Sequence, residues 1–111
     1  MRSGESRVGD VFPDLRQPLI KQLAESGAPR RHWHAADEDG GVWLFESVEG
    51  DGEHWAIRQV EIDARRSVHR YWWGLLQDDH GFLTDQPLEI WDLTEITEEA
   101  FEAVWAAGGP A

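Results

Sequence analysis

A chain of 111 residues with 41% hydrophobic residues and seven tryptophans has enough apolar surface to bury the core of one domain, despite a net charge of −12. That charge repels polyanions, so neither a nucleic acid nor an anionic membrane is expected as a direct ligand, and a basic partner is favoured. The absence of cysteine excludes disulfide bonds, thiolate metal sites and a cysteine nucleophile from this chain.

The charge is polarised along the chain, and no targeting segment is recognisable. Residues 1–34 carry a net charge of +2, and residues 35–111 carry a net charge of −14. No charged start is followed by an apolar run near Met1, and no apolar stretch reaches the length of about 18 residues that a bilayer span needs. A cytoplasmic protein is therefore expected, with a single domain over residues 1–111.

The chain begins with a predicted tail and a short helix. Residues 1–10 are rich in glycine, serine and arginine and have little apolar surface to pack, which predicts a flexible tail. Pro18 suits the first turn of a helix, an apolar stripe at helical spacing follows it, and Ser26-Gly27 suits its end. The pattern predicts a helix over residues 17–26, and it places a sheet and a closing helix within residues 33–107.

Two β-rich runs follow, over residues 42–48 and 54–62, and a glycine-containing loop joins them. This spacing predicts a β-hairpin. The apolar positions change parity between residues 55–57 and residues 60–62. Because side chains in a strand alternate with a period of two, the change predicts a bulge near residues 58–59 or apolar cover on both faces.

The remaining elements complete a predicted α+β fold. Residues 68–76 are typical of a third strand, and Pro87 limits a fourth segment at residues 88–91 to the edge of the sheet. Thr97 is a helix N-cap, followed by an acidic first turn and an apolar helix face. We therefore expect a small antiparallel meander of three or four strands, with a C-terminal helix packed on it and a short N-terminal helix.

Several short motifs lie between Trp33 and Trp105. The chain has W-H at residues 33–34, a strand glutamate at Glu46, W-x-x-R-x-V-E at residues 55–61 and I-T-E-E-A-F-E-A-V-W at residues 96–105. In these motifs it resembles a family of small, mostly actinobacterial domains of unknown function. The pair Trp72-Trp73 departs from the family pattern, and the N-terminal helix lies outside it. The resemblance implies a shape and no biochemical activity.

A metal site is one alternative for the start of the sheet. His32 and His34 would place two imidazoles on one face of a strand, with Asp37, Glu38 and Asp39 nearby as oxygen ligands. A metal site needs three or four ligands in fixed geometry, and no third histidine stands at a recognised spacing. A polar turn is therefore favoured over a metal-dependent enzyme, and no cofactor is expected.

Catalytic chemistry has little support elsewhere. Three histidines stand near carboxylates and would suit acid–base pairs: His54, His69 and His80. No serine or threonine occupies a recognisable nucleophile motif, so we expect a protein that is not an enzyme. Glu46, Arg58 and Glu61 lie on strands expected to pair, where opposite charges at facing positions stabilise a sheet.

The acidic last third contains the candidate binding surface. Residues 71–111 have no lysine or arginine but nine carboxylates and four tryptophans. Helix chemistry explains Glu98, Glu99 and Glu102. Adjacent strand residues face opposite ways, so at least one indole of the pair Trp72-Trp73 must lie outside the core. The candidate binding residues are Trp72, Trp73, Asp78, Asp79, Asp85, Glu89, Trp91, Asp92 and Glu95.

Three functional hypotheses follow. The first is an acidic binding protein that occupies a basic protein, as an inhibitor or immunity-type partner of a toxin such as a nuclease. The second is an accessory domain that holds a cationic small molecule in an aromatic pocket of at least ~300 Å³. The third is the metal-dependent enzyme built on His32 and His34.

Overall fold

The protein, a computed structural model that describes residues 17–107, contains one sheet and two α-helices. The predicted tail over residues 1–10 lies outside the described residues. Residues 17–24 form the first helix, α1. The elements that follow are β1 (Arg31–Ala36), β2 (Val42–Gly50), β3 (Glu53–Ile62), β4 (Val68–Tyr71), a 3₁₀ helix (Ile90–Asp92), β5 (Thr94–Ile96) and α2 (Glu98–Ala107).

The sheet has the strand order β4-β3-β2-β1-β5, and every pair is antiparallel. The first four strands form a meander, and the chain then returns so that β5 pairs with β1. The predicted α+β class, with an antiparallel sheet and a helix at each end, is confirmed. The sheet has five strands, whereas the sequence pattern indicates three or four.

Three boundaries differ from the predicted ones. Strand β1 occupies the region of His32 and His34, where a polar turn is predicted, because it gains partners on both sides from β2 and β5. The third strand ends at Tyr71, since Trp72 and Leu75 exchange two backbone hydrogen bonds of 3.0 Å and close a turn. The predicted edge strand at residues 88–91 is a single bridge from Leu88 to His54, followed by the 3₁₀ helix.

The parity change in β3 has the predicted cause. Glu46 pairs with Arg58, whereas the next residue, Ser47, pairs with Ala56, which leaves Ile57 as the extra residue of a β-bulge. Both faces of the sheet are also covered by apolar side chains. One face packs Leu44 and Val60 against Phe101 of α2. The opposite core includes Trp33, Phe45, Tyr71, Leu83 and Ile20 of α1.

Helix α2 begins as the sequence predicts. The Thr97 Oγ1 accepts a hydrogen bond of 3.1 Å from the backbone N–H of Ala100, and the Thr97 carbonyl accepts one from Phe101. Phe101 is the helix residue that becomes fully buried, and it anchors α2 to the sheet. Within residues 17–107, neither helix has the length and apolar character that crossing a bilayer requires.

Candidate functional site

A groove on the surface is formed where residues 86–93 cross the start of β3. The backbone N–H of Leu88 donates a hydrogen bond of 2.8 Å to the carbonyl of His54, which joins this segment to the sheet. The side chains of Leu88, Ile90 and Leu93 pack against the core below it. Their burial leaves the intervening polar residues and Trp91 facing solvent.

Trp91 is the most exposed of the large hydrophobic residues that the structure describes. Its side chain is 77% exposed. It lines a groove of about 730 Å³ together with Phe45, Glu53, His54, Glu89 and Asp92. Among the described residues, no lysine or arginine lines this groove. An indole face beside three carboxylates suits a guanidinium or ammonium group, because both rings and carboxylates attract cations.

The structure brings three of the nine candidate binding residues together in this groove: Glu89, Trp91 and Asp92. Asp85 lies outside it, beside a cavity bordered by α1, and Asp79 is exposed in the turn after Leu76. Sequence reasoning missed Glu53 as a member and considered His54 only for acid–base chemistry. Both enter the groove through the bridge to Leu88, a contact between distant segments that no local pattern indicates.

Glu95 is engaged in an ion pair. Arg31 donates two hydrogen bonds to its carboxylate, with Nη2 to Oε1 at 2.9 Å and Nε to Oε2 at 3.1 Å. These bonds lower the pKa of Glu95 and raise that of Arg31. The guanidinium also lies 4.5 Å from the ring centre of Trp33. Glu95 is therefore less available to a partner than the sequence suggests.

Asp78 has a structural role. Its Oδ1 accepts hydrogen bonds from the Tyr71 hydroxyl at 2.9 Å and from the backbone N–H groups of His80 and Gly81, at 2.8 and 3.0 Å. Burial works to raise the pKa of Asp78, but these hydrogen bonds outweigh it and the pKa is lowered. Burial and the adjacent carboxylate together raise the pKa of Tyr71. Asp78 thus holds the turn over residues 78–81 against the sheet.

Trp72 and Trp73 lie away from the Trp91 groove. Their rings meet edge to face with centres 5.1 Å apart, and Trp72 is 36% exposed. Trp73 is partly covered by α1, where Lys21 lies 5.1 Å from its ring centre and Gln17 donates to its carbonyl at 2.8 Å. The two indoles border a cavity of about 330 Å³ that also contains Glu46, Arg58 and Glu102.

A charged cluster lies between the sheet and α2. Glu46 is 5% exposed, and its carboxylate accepts hydrogen bonds from Arg58, with Nε to Oε1 at 2.7 Å and Nη2 to Oε2 at 2.9 Å. The His32 Nε2 lies 2.9 Å from the same Oε2. Arg58 also binds Glu102 of α2, and its guanidinium packs 4.9 Å from the ring centre of Phe101. The predicted pairing of Glu46 with Arg58 is confirmed. The contact of Arg58 with Glu102 then joins α2 to the sheet.

The His32 imidazole is therefore already engaged in a contact with Glu46. Asp37 stabilises the turn after β1, because its Oδ1 accepts a hydrogen bond of 3.1 Å from the N–H of Asp39. Over residues 17–107, the group of three possible metal ligands lies instead at Asp63, His69 and His80. The third functional hypothesis thus has no assembled ligand set around His32 and His34 in the described part of the chain.

The Glu46 cluster makes stability depend on pH. Burial acts to raise the pKa of Glu46, but the hydrogen bonds from Arg58 and His32 outweigh it, so the pKa lies below its ordinary value of 4.5. A carboxylate with a lowered folded-state pKa stabilises the fold above its unfolded pKa, and this contribution is lost as the pH falls through the folded value.

We expect the free energy of unfolding of wild type to exceed that of Glu46→Gln by its full amount at about pH 5.5, and the difference to shrink steadily towards about pH 3. Urea unfolding of both proteins across this range measures it. The other carboxylates are common to the two proteins, so their titration cancels in the comparison. A difference that stays constant with pH would show that the charge of Glu46 does not stabilise the fold.

Comparison of the chain with family models, with curated proteins and with solved structures finds no match. The resemblance to small actinobacterial domains therefore stays a prediction.

Proposed function

We propose that this chain is a cytoplasmic, non-enzymatic binding protein that holds a cationic segment of a basic partner protein in the groove around Trp91. An inhibitor or immunity-type partner of a basic toxin fits this description. The observation that carries the proposal is the 77% exposure of Trp91 beside Glu53, Glu89 and Asp92. An indole left in water costs free energy that a partner recovers by covering it.

The chemistry of the groove favours arginine in the partner. A planar guanidinium stacks on an indole face and donates paired hydrogen bonds to a carboxylate, whereas an ammonium does only part of this. Cation–π contact contributes about 0.5–2 kcal/mol, depending on how far water is excluded. Glu89, Trp91 and Asp92 line the same groove, so an arginine side chain that enters it meets both an indole and carboxylates.

Long-range electrostatics would assist the encounter. The net charge of −12 attracts a basic protein from a distance and raises the association rate, more strongly at low salt. Asp79 and Asp85 are exposed and contribute to this field without lining the groove. The net charge therefore raises the association rate, while Trp91 provides contact area that the partner buries.

Affinity capture from the native cell tests the proposal, with wild type, Trp91→Ala and Trp72→Ala as parallel baits. Trp72→Ala is the matched control, since it also removes an exposed indole from the acidic third. We expect the wild-type and Trp72→Ala baits to capture a basic protein, and high salt to release that protein from them. Because tryptophan anchors are typical binding hot spots, Trp91→Ala should weaken its affinity by at least about thirtyfold, or about 2 kcal/mol.

Capture that Trp91→Ala leaves unchanged would contradict the proposal. If Trp72→Ala abolished capture of the basic protein instead, its binding site would lie at the cavity beside Trp72 and Trp73. That cavity is the weaker candidate, because Arg30 and Arg58 line it and Arg58 already binds the carboxylates of Glu46 and Glu102.

A further inference from the structure

A second cluster of ligating side chains lies at the β4 edge of the sheet. Asp63 follows β3, His69 lies within β4, and His80 lies in the turn over residues 78–81. One possible ligand atom from each of these residues lies within 4.8 Å of the other two. The His69 Nε2 is 3.0 Å from the Asp63 Oδ2, and the two imidazole rings stack with centres 3.6 Å apart.

The surrounding structure places a carboxylate beside each imidazole. The Asp63 Oδ1 accepts hydrogen bonds from the backbone N–H groups of Arg65 and Ser67, at 2.9 and 3.0 Å, which leaves Oδ2 directed at His69. Glu61 faces His69 across the β3–β4 pair, and its Oε2 lies 3.1 Å from the His80 Nε2. Each imidazole of the cluster therefore has a carboxylate oxygen beside it, at 3.0 Å for His69 and 3.1 Å for His80.

We propose that Asp63, His69 and His80 bind a divalent transition metal ion of the zinc type, with Glu61 as the fourth ligand. Imidazole nitrogen combined with carboxylate oxygen suits zinc, whereas calcium and magnesium prefer sites made of oxygen alone. The two carboxylates also provide the charge that neutralises the ion. Four protein ligands are typical of a structural site, which would fasten the turn over residues 78–81 to the sheet edge.

Metal binding requires a defined movement of His80. Ligand atoms around a tetrahedral zinc ion lie about 3.4 Å apart, given bonds of about 2.0–2.2 Å, so the cluster must contract. A metal ion lies in the plane of each imidazole that binds it, and two parallel stacked rings cannot both meet that condition. The His80 side chain is 32% exposed and lies in a turn, so it is the ring able to rotate.

This site is independent of the proposed function. None of its four residues lines the groove around Trp91, so the failure of either proposal leaves the other standing. The two also differ in ligand, since one takes a metal ion and the other a basic protein segment.

Calorimetric titration of the full chain without a histidine tag, with Zn²⁺ alone as the ligand, tests the site. We expect one ion per chain and a raised melting temperature. His69→Gln and His80→Gln should each lower the affinity by at least about tenfold. His34→Gln, the same change at a half-buried histidine outside the cluster, should leave the affinity unchanged, and circular dichroism checks that each variant folds.

Bound Co²⁺ should show the intense visible absorption of tetrahedral coordination in wild type and lose it in His80→Gln. The proposal is overturned if wild type binds no Zn²⁺, if neither His69→Gln nor His80→Gln changes the affinity, or if His34→Gln lowers it equally.

Discussion

Replacing Glu46 by alanine is expected to lower the free energy of unfolding by about 3 kcal/mol. Removing one partner of a buried ion pair typically costs about 3–5 kcal/mol, because the other charge is left buried without compensation. Here the loss would remove the carboxylate partner of the buried His32 imidazole and one of the two carboxylates bound to Arg58. The lower end of the range applies, since the Arg58 side chain is 21% exposed and still binds Glu102.

Equilibrium unfolding in urea measures this loss, and Glu95→Ala is its control. Glu95 also accepts two hydrogen bonds from an arginine, but that pair is exposed on both sides. Exposed pairs are screened by water and contribute little, so Glu95→Ala should stay close to wild type. Equal losses for the two variants would contradict the assignment of Glu46 as a buried structural charge.

Replacing Phe101 by alanine is expected to cost about 3–5 kcal/mol, the usual range for deleting a buried aromatic ring. Phe101 is fully buried against Leu44 and Val60, and its ring centre lies 5.3 Å from that of His32. A domain of this size is stable by only about 5–15 kcal/mol. The change therefore removes a large part of the stability and detaches α2 from the sheet.

Urea unfolding and near-ultraviolet circular dichroism of the tryptophans report this result. Val104→Ala is the matched control, because Val104 lies on the same helix face but is only half-buried. Val104→Ala should lower the free energy of unfolding clearly less than Phe101→Ala does. If the two variants lost similar free energy, Phe101 would not be the anchor of the helix.

Local patterns in the sequence predict much of this fold. The hairpin of β2 and β3, the bulge in β3 and the Thr97 cap each depend on residues close together in the chain, where strand parity and turn chemistry are informative. The class of the fold follows from the order of these elements. Strand β1 is harder to predict, because His32 and His34 place polar groups on its helix-facing side. Burial of the His32 ring there depends on its contact with Glu46 of the next strand.

The candidate site depends on contacts that the sequence does not show. The tryptophans and acidic residues of the last third identify Trp91, Glu89 and Asp92 because their chemistry is visible in composition. Their assembly with Glu53 and His54 depends on one backbone bridge between distant segments. The same limit hides that Glu95 is engaged elsewhere, since its partner Arg31 lies on a different strand. The partners of Asp78 are close to it in the chain, but nothing in the local pattern indicates that the Tyr71 hydroxyl is one of them.

The same limit applies to the cluster at the β4 edge. His69 and His80 are separated in sequence by a turn region, and their rings meet only because the Tyr71 hydroxyl and Asp78 fix the turn beside the sheet. Sequence reasoning identifies each histidine as titratable and near carboxylates, but it does not indicate that the two imidazoles stack.

Nuclear magnetic resonance measures directly whether Trp91 and its carboxylates bind a cationic protein segment. The ¹⁵N-labelled protein is titrated with a deca-arginine peptide, and Trp91→Phe assigns the Trp91 indole N–H signal. We expect saturable shifts at that signal and at the amides of residues 52–54 and 86–93, and weaker binding as salt rises from about 50 to 300 mM. Binding that leaves the Trp91 indole unshifted, or that is insensitive to salt, would contradict it.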